Sequence, residues 1–158
     1  MNGVVVDGDD IDRLRKALAA EHAAVFAYGL LGARTTGALR DRATAAYDAH
    51  RARRDQLRSL ITSRGAKPSE SEASYALPYV PSGSAQAAKL AARVENGITA
   101  AYLELAAARD ATLRRYAAQA MQESATRAYA FQPSPPPAFP GMPVSSPPPT
   151  PPATTPGG

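Results

Sequence analysis

Three features of the chain predict an all-α protein built as a four-helix bundle with one long crossover between helices 2 and 3. Four stretches carry apolar residues at alternating spacings of three and four, the seam of an amphipathic helix. The stretches are joined short, long, short, which a simple up-down-up-down bundle does not need. After Gln132 the chain has no charged residue and holds all but three of its 15 prolines, so it cannot extend the core. The expected organisation is a flexible leader over residues 1–8, the helical domain over 9–131 and a disordered proline-rich tail over 132–158.

The first helix is expected to run from a side-chain cap at Asp9 or Asp10 to about Ala33. Its seam reads Ile11, Leu14, Leu18, Glu21, Val25 and Tyr28, so Glu21 occupies a position where the period asks for an apolar side chain. A carboxylate turned into a core costs several kcal/mol unless a cation, a metal or hydrogen-bond donors answer it. His22 lies about 100° round the helix from Glu21, on the flank of the seam. The segment Arg34 to Gly37 is a short connection, which implies an antiparallel neighbour.

The second helix is expected from about Ala38 to Arg64, with its seam at Leu39, Ala43, Ala46, His50, Arg53, Leu57 and Leu60. His50 therefore faces the same interior as Glu21, and Tyr47, Arg51 and Arg54 lie within one turn of it. Gly65 supplies a stop and Pro68 follows. From Gly65 to Gly83, prolines and small polar residues deny any regular element, and a link this long can carry the chain along the whole bundle. Tyr75, Leu77, Tyr79 and Val80 give it apolar groups with which to lie on the helices.

Ser84 is the expected cap of the third helix, whose buried stripe is Leu90, Val94, Ile98, Ala101 and Leu105. Glu95 stands beside that stripe, with Ala91 and Tyr102 at its edge. Asp110 is the expected cap of a fourth helix reaching about Phe131 through Leu113, Ala117, Met121, Ser124 and Ala128.

The stretches LAAEHAAVFAYGLLGAR, AHRARRDQL, SYALPY and ARVENGITAAY resemble the uncharacterised, alanine-rich, ferritin-like domain of actinobacterial proteins. The likeness covers nearly all of Leu14 to Ala130 and implies the ferritin-like bundle. Members of that family have no settled activity, so the resemblance implies a fold and no substrate.

Ferritin-like di-iron sites take a Glu from each of two helices and Glu-x-x-His from each of the other two. Glu21, His50 and Glu95 match three of those positions. Tyr47 stands three residues before His50 where a Glu is required, and Glu123 is followed three residues later by Thr126 where a His is required. A di-iron centre with this incomplete ligand set stays open, and so do two other readings. Glu21 belongs to a buried polar network with His50, Arg51 or Arg54 and the Tyr47 hydroxyl, or Glu21, His50 and Glu95 bind a single iron or zinc, with oxidative activity as its use.

Composition narrows the remaining classes. The absence of cysteine excludes disulfides and thiolate metal sites. Acidic residues stand where a signal peptide would be basic, and no run approaches the roughly 18 apolar residues of a membrane span, so a cytoplasmic protein that does not enter membranes is expected. Eight arginines between Arg34 and Arg64 face only Asp41, Asp48 and Asp55, but the acids are interleaved and no aromatic platform accompanies them, which favours a solvated face over nucleic-acid binding. The tail carries PxxP at Pro133 to Pro136 and again between Pro147 and Pro152, without the basic residue that orients such ligands, and no partner for it is specified. No nucleophile with an adjacent base and no phosphate loop is present, so no catalytic residue is assigned. Association of a helical face into a homodimer is compatible with the pattern, which selects no interface.

Overall fold

A computed structural model describes residues 8–135 and 138–143, and its regular elements are four helices with no strand among those residues. They are α1 (Gly8–Arg34), α2 (Gly37–Thr62), α3 (Ser84–Leu105) and α4 (Ala111–Phe131). No helix of the described residues is long and apolar enough to cross a membrane.

Only Thr35 and Thr36 separate α1 from α2, so the two helices fold back on one another. Across the other interfaces, Lys16 meets Glu104 and Tyr28 meets Glu95, so α3 runs opposite to α1. Arg42 reaches the Ala130 carbonyl and Arg64 pairs with Asp110, so α4 runs opposite to α2. It follows that α2 and α3 point the same way, and residues 63–83 must return along the helices before α3 starts. Their contacts mark that route: His22 Nε2 donates to the Ser69 carbonyl at 3.1 Å, the Tyr75 ring lies against Phe26, and Tyr79 donates to the Gln86 carbonyl.

Local chemistry sets the element ends, in two places otherwise than expected. Gly65 takes φ 76° after α2 and lets the Ala66 N–H reach the Ile61 carbonyl at 3.2 Å, closing the helix with a left-handed residue. Asp110 caps α4 as expected, accepting from the Thr112 N–H at 2.7 Å. Ser84, the expected cap of α3, is instead its first helical residue, and Gly83 holds the cap position without a side-chain bond. Gln86 answers the donors there, its Oε1 accepting from the Ser82 N–H and hydroxyl. Asp10 accepts from the Arg109 and Asp110 N–H groups at 3.0 Å each, so it ties the start of α1 to the turn between α3 and α4. Helix α1 begins at Gly8, inside the expected leader, whose other residues lie outside the described ones.

The apolar core is divided in two. One cluster gathers Leu14, Leu18, Leu57, Ile61, Ile98 and Leu105, and the other gathers Tyr28, Leu31, Ala46, Leu90, Ala91 and Phe131. Between them along each helix lie the fully buried polar residues Glu21, His50, Glu95 and Ser124. A polar layer therefore cuts across the middle of the helices.

The proline-rich end differs from the expected free tail over part of its length. After α4 the chain returns to α3, where Gly141 sits so close that a Cβ on it would lie 3.1 Å from the Thr99 carbonyl oxygen. The remainder of the expected tail, including Pro147 to Pro152, lies outside the described residues.

Candidate functional site

The polar layer is centred on one imidazole held by two carboxylates. Helix α2 carries His50 into the core because its neighbours at three and four residues, Ala46 and Arg53, occupy the same buried stripe. His50 Nδ1 lies 2.6 Å from Glu21 Oε2 on α1, and Nε2 lies 3.0 Å from Glu95 Oε1 on α3. All three side chains are shielded from solvent. Sequence reasoning brought these three to one interior, and the structure puts them in direct contact.

Phenols and a guanidinium complete the layer. Tyr102 donates to Glu21 Oε1 at 2.7 Å, and Tyr28 donates to Glu95 Oε1 at 2.7 Å. Arg127 of α4 approaches the same oxygen, its Nε at 3.0 Å, and also reaches the Ser124 hydroxyl. The Tyr28 ring stacks on His50 with centroids 5.3 Å apart. Beyond Tyr102 the chain of contacts continues outward through the Tyr116 ring to Arg53, which pairs with Glu123 at 2.6 Å.

The other expected members stand elsewhere. Arg54 turns to Asp55, and Arg51 lies over the Tyr47 ring on the outer side of α2. Arg53, one residue before Arg54, is the arginine of α2 that is buried. The donors that sequence reasoning did not assign to the site are Tyr28, Tyr102 and Arg127. A signal existed for the last: Arg127 follows Ser124 by three residues and so shares its face of α4.

These contacts fix the charges. Burial alone would lower the His50 pKa, but the hydrogen bonds and negative charges of Glu21 and Glu95 outweigh it and push it up to about 9. Burial raises the Glu95 pKa, and the bond to His50 with the His50 and Arg127 charges more than reverses this, holding it below the ordinary carboxylate range. Burial and the adjacent carboxylates push both Tyr28 and Tyr102 upward, so both phenols remain neutral donors. At neutral pH His50 is therefore an imidazolium donating from both nitrogens. With Arg127 it balances the charges of Glu21 and Glu95.

That balance decides how well the residues fit a metal. An imidazolium has no lone pair to offer, and a dication would add two positive charges to a layer that is already neutral. Glu123, the acid nearest the expected fourth-helix position, is engaged by Arg53 and partly exposed. Among the described residues no group of three His, Cys, Asp or Glu side chains stands ready to hold a metal ion. Glu95 Oε2, buried and without a hydrogen-bond partner, is the one open acceptor of the layer. The donor set as folded does not fit a di-iron centre, and it fits a single ion only if His50 first gives up a proton.

Comparison with known proteins places the chain without assigning an activity. No curated protein matches it. It is similar to a conserved hypothetical protein, Rv2844, from Mycobacterium tuberculosis, known from a crystal structure: 34% identical, with a TM-score of 0.75 over 79% of this chain and 96% of that one. A family model described as a domain of unknown function, DUF4439, matches residues 13–144, which take in all of α2, α3 and α4, the polar layer and the returning segment. The chain belongs to that family, DUF4439.

Proposed function

We propose that this protein is a ferritin-like four-helix bundle, with the link between α2 and α3 as its one long crossover, in which the position of a di-metal centre is taken by a charge-balanced clamp. On this reading the protein is a structural or interaction module, and the clamp sets how its four helices meet. The observation that carries the reading is a single imidazole bonded through both nitrogens to carboxylates of two other helices. Helix α4 joins through Arg127, so one buried layer engages all four helices. A buried polar group can fix register, at a cost in stability relative to apolar packing.

The runner-up is a metal-binding bundle with iron or zinc at Glu21, His50 and Glu95 and an oxidative use. The unpartnered Glu95 Oε2 is the feature that favours it. The test is the metal content of untagged protein purified after growth with added iron or zinc. The clamp predicts less than about one tenth of an equivalent per chain, because the Glu21 and Glu95 carboxylates are already answered by His50, Arg127 and two phenols. One equivalent or more of either metal would select the runner-up.

A further inference from the structure

We infer that the outer cleft between α3 and α4, walled on one side by residues 134–135 and 140–143, is a binding site for an uncharged, mainly apolar small molecule. The site is separate from the clamp: Glu21, His50 and Glu95 do not line it. Its volume is about 820 Å³, within the range of cavities that take small-molecule ligands.

The walls explain the preference. Small side chains at Ala92 and Ala100 on α3 and at Ala125 and Ala128 on α4 hollow out the floor. Met142, Pro140 and Pro143 contribute from the returning segment, and Tyr129 stands at the edge. No charged residue lines the cleft, so an ionic ligand would lose its hydration without gaining a counter-charge. The hydroxyls of Thr99 and Thr126 are engaged by carbonyls of their own helices, at 3.0 Å and 2.9 Å. The amides of Asn96, Gln122 and Gln132 and the hydroxyls of Tyr129 and Ser134 then remain to meet one or two polar atoms of a ligand.

The cover is a built part of the domain. Gly141 has φ 86°, a conformation that favours glycine, and a Cβ there would lie 3.1 Å from the Thr99 carbonyl oxygen, so that a neighbour would have to shift. The turn is closed by the Met142 N–H on the Phe139 carbonyl. The family match continues to residue 144, past this contact, although composition alone would end the domain at α4. Among the described residues, Tyr129, Phe139 and Met142 are three of the four large apolar side chains that stand exposed, and these three belong to this end of the molecule.

The full chain, titrated with the neutral fluorophore N-phenyl-1-naphthylamine, is expected to bind one molecule saturably. Filling the floor with Ala125→Leu should weaken binding at least tenfold while the far-ultraviolet circular dichroism stays that of the parent. Gly141→Ala, which lies outside the helices and presses the cover away from the Thr99 carbonyl, should weaken it at least threefold and serves if the first variant misfolds. The alcohol 1-decanol should displace the probe at a concentration at least tenfold below that of decanoate. Absence of saturable binding, equal affinity in both variants, or equal displacement by the alcohol and the carboxylate would each overturn the assignment.

Discussion

Replacing His50 with leucine is expected to destabilise the protein by about 3–5 kcal/mol, the range for removing one partner of a buried charged network. The substitution nearly conserves volume and adds no polar atom, so lost packing contributes little. What is lost is the cation between Glu21 and Glu95. Glu95 keeps Tyr28 and Arg127, but Glu21 is left with the Tyr102 phenol alone among the bonds that answered it. The two carboxylates then lie in the core without the cation they shared. Replacing Glu21, His50 and Glu95 together with apolar residues of similar size should restore part of the loss, since it removes the stranded carboxylates and leaves only Arg127, Tyr28 and Tyr102 without their partners. Urea unfolding of the single and triple variants measures both. Equal losses in the two would mean that the layer is held by shape.

Stability should also fall as the solution becomes alkaline, by about 3 kcal/mol between roughly pH 6.5 and pH 9. The sign follows from the direction of the shift. In the folded protein His50 has its pKa raised from 6.5 to about 9, so folding takes up a proton throughout that interval. The contribution is complete below the unfolded value and is lost as pH rises through the folded one. Glu95 acts in the opposite sense: its depressed pKa contributes stability above the ordinary carboxylate range, which is lost as pH falls through its folded value. Together they place the most stable interval between about pH 4.5 and 6.5 for these two groups. Melting temperatures across pH 4 to 10, compared with His50→Leu, isolate the histidine part. A parent whose alkaline decline matched that of the variant would show that His50 does not contribute it.

How far such a site can be read from sequence depends on which distances the helix itself encodes. Glu21 and His50 interrupt apolar stripes of known period, so their inward direction was legible, and Glu95 lay close enough to its stripe to be included. Arg54 misses the layer by one position. A step of one residue turns a side chain by about 100°, which carries Arg54 outward to Asp55 and leaves Arg53 in the buried stripe. Tyr28 stands in a helical seam and Tyr102 at the edge of a stripe, but their partners lie 67 and 81 residues away, across interfaces that no local period describes. The proline-rich end shows a different limit. Composition argues against a packed core there, yet one glycine at Gly141 is enough to bring the backbone against α3.

The charge on His50 is the point on which the clamp depends, and the nitrogen-15 shifts of its ring in labelled full-length protein read it directly. Both nitrogens should carry protons at pH 7, with shifts of the imidazolium type that change only as pH approaches about 9. A ring with one unprotonated nitrogen at pH 7, whether from a neutral tautomer or from coordination to a metal, would contradict the account.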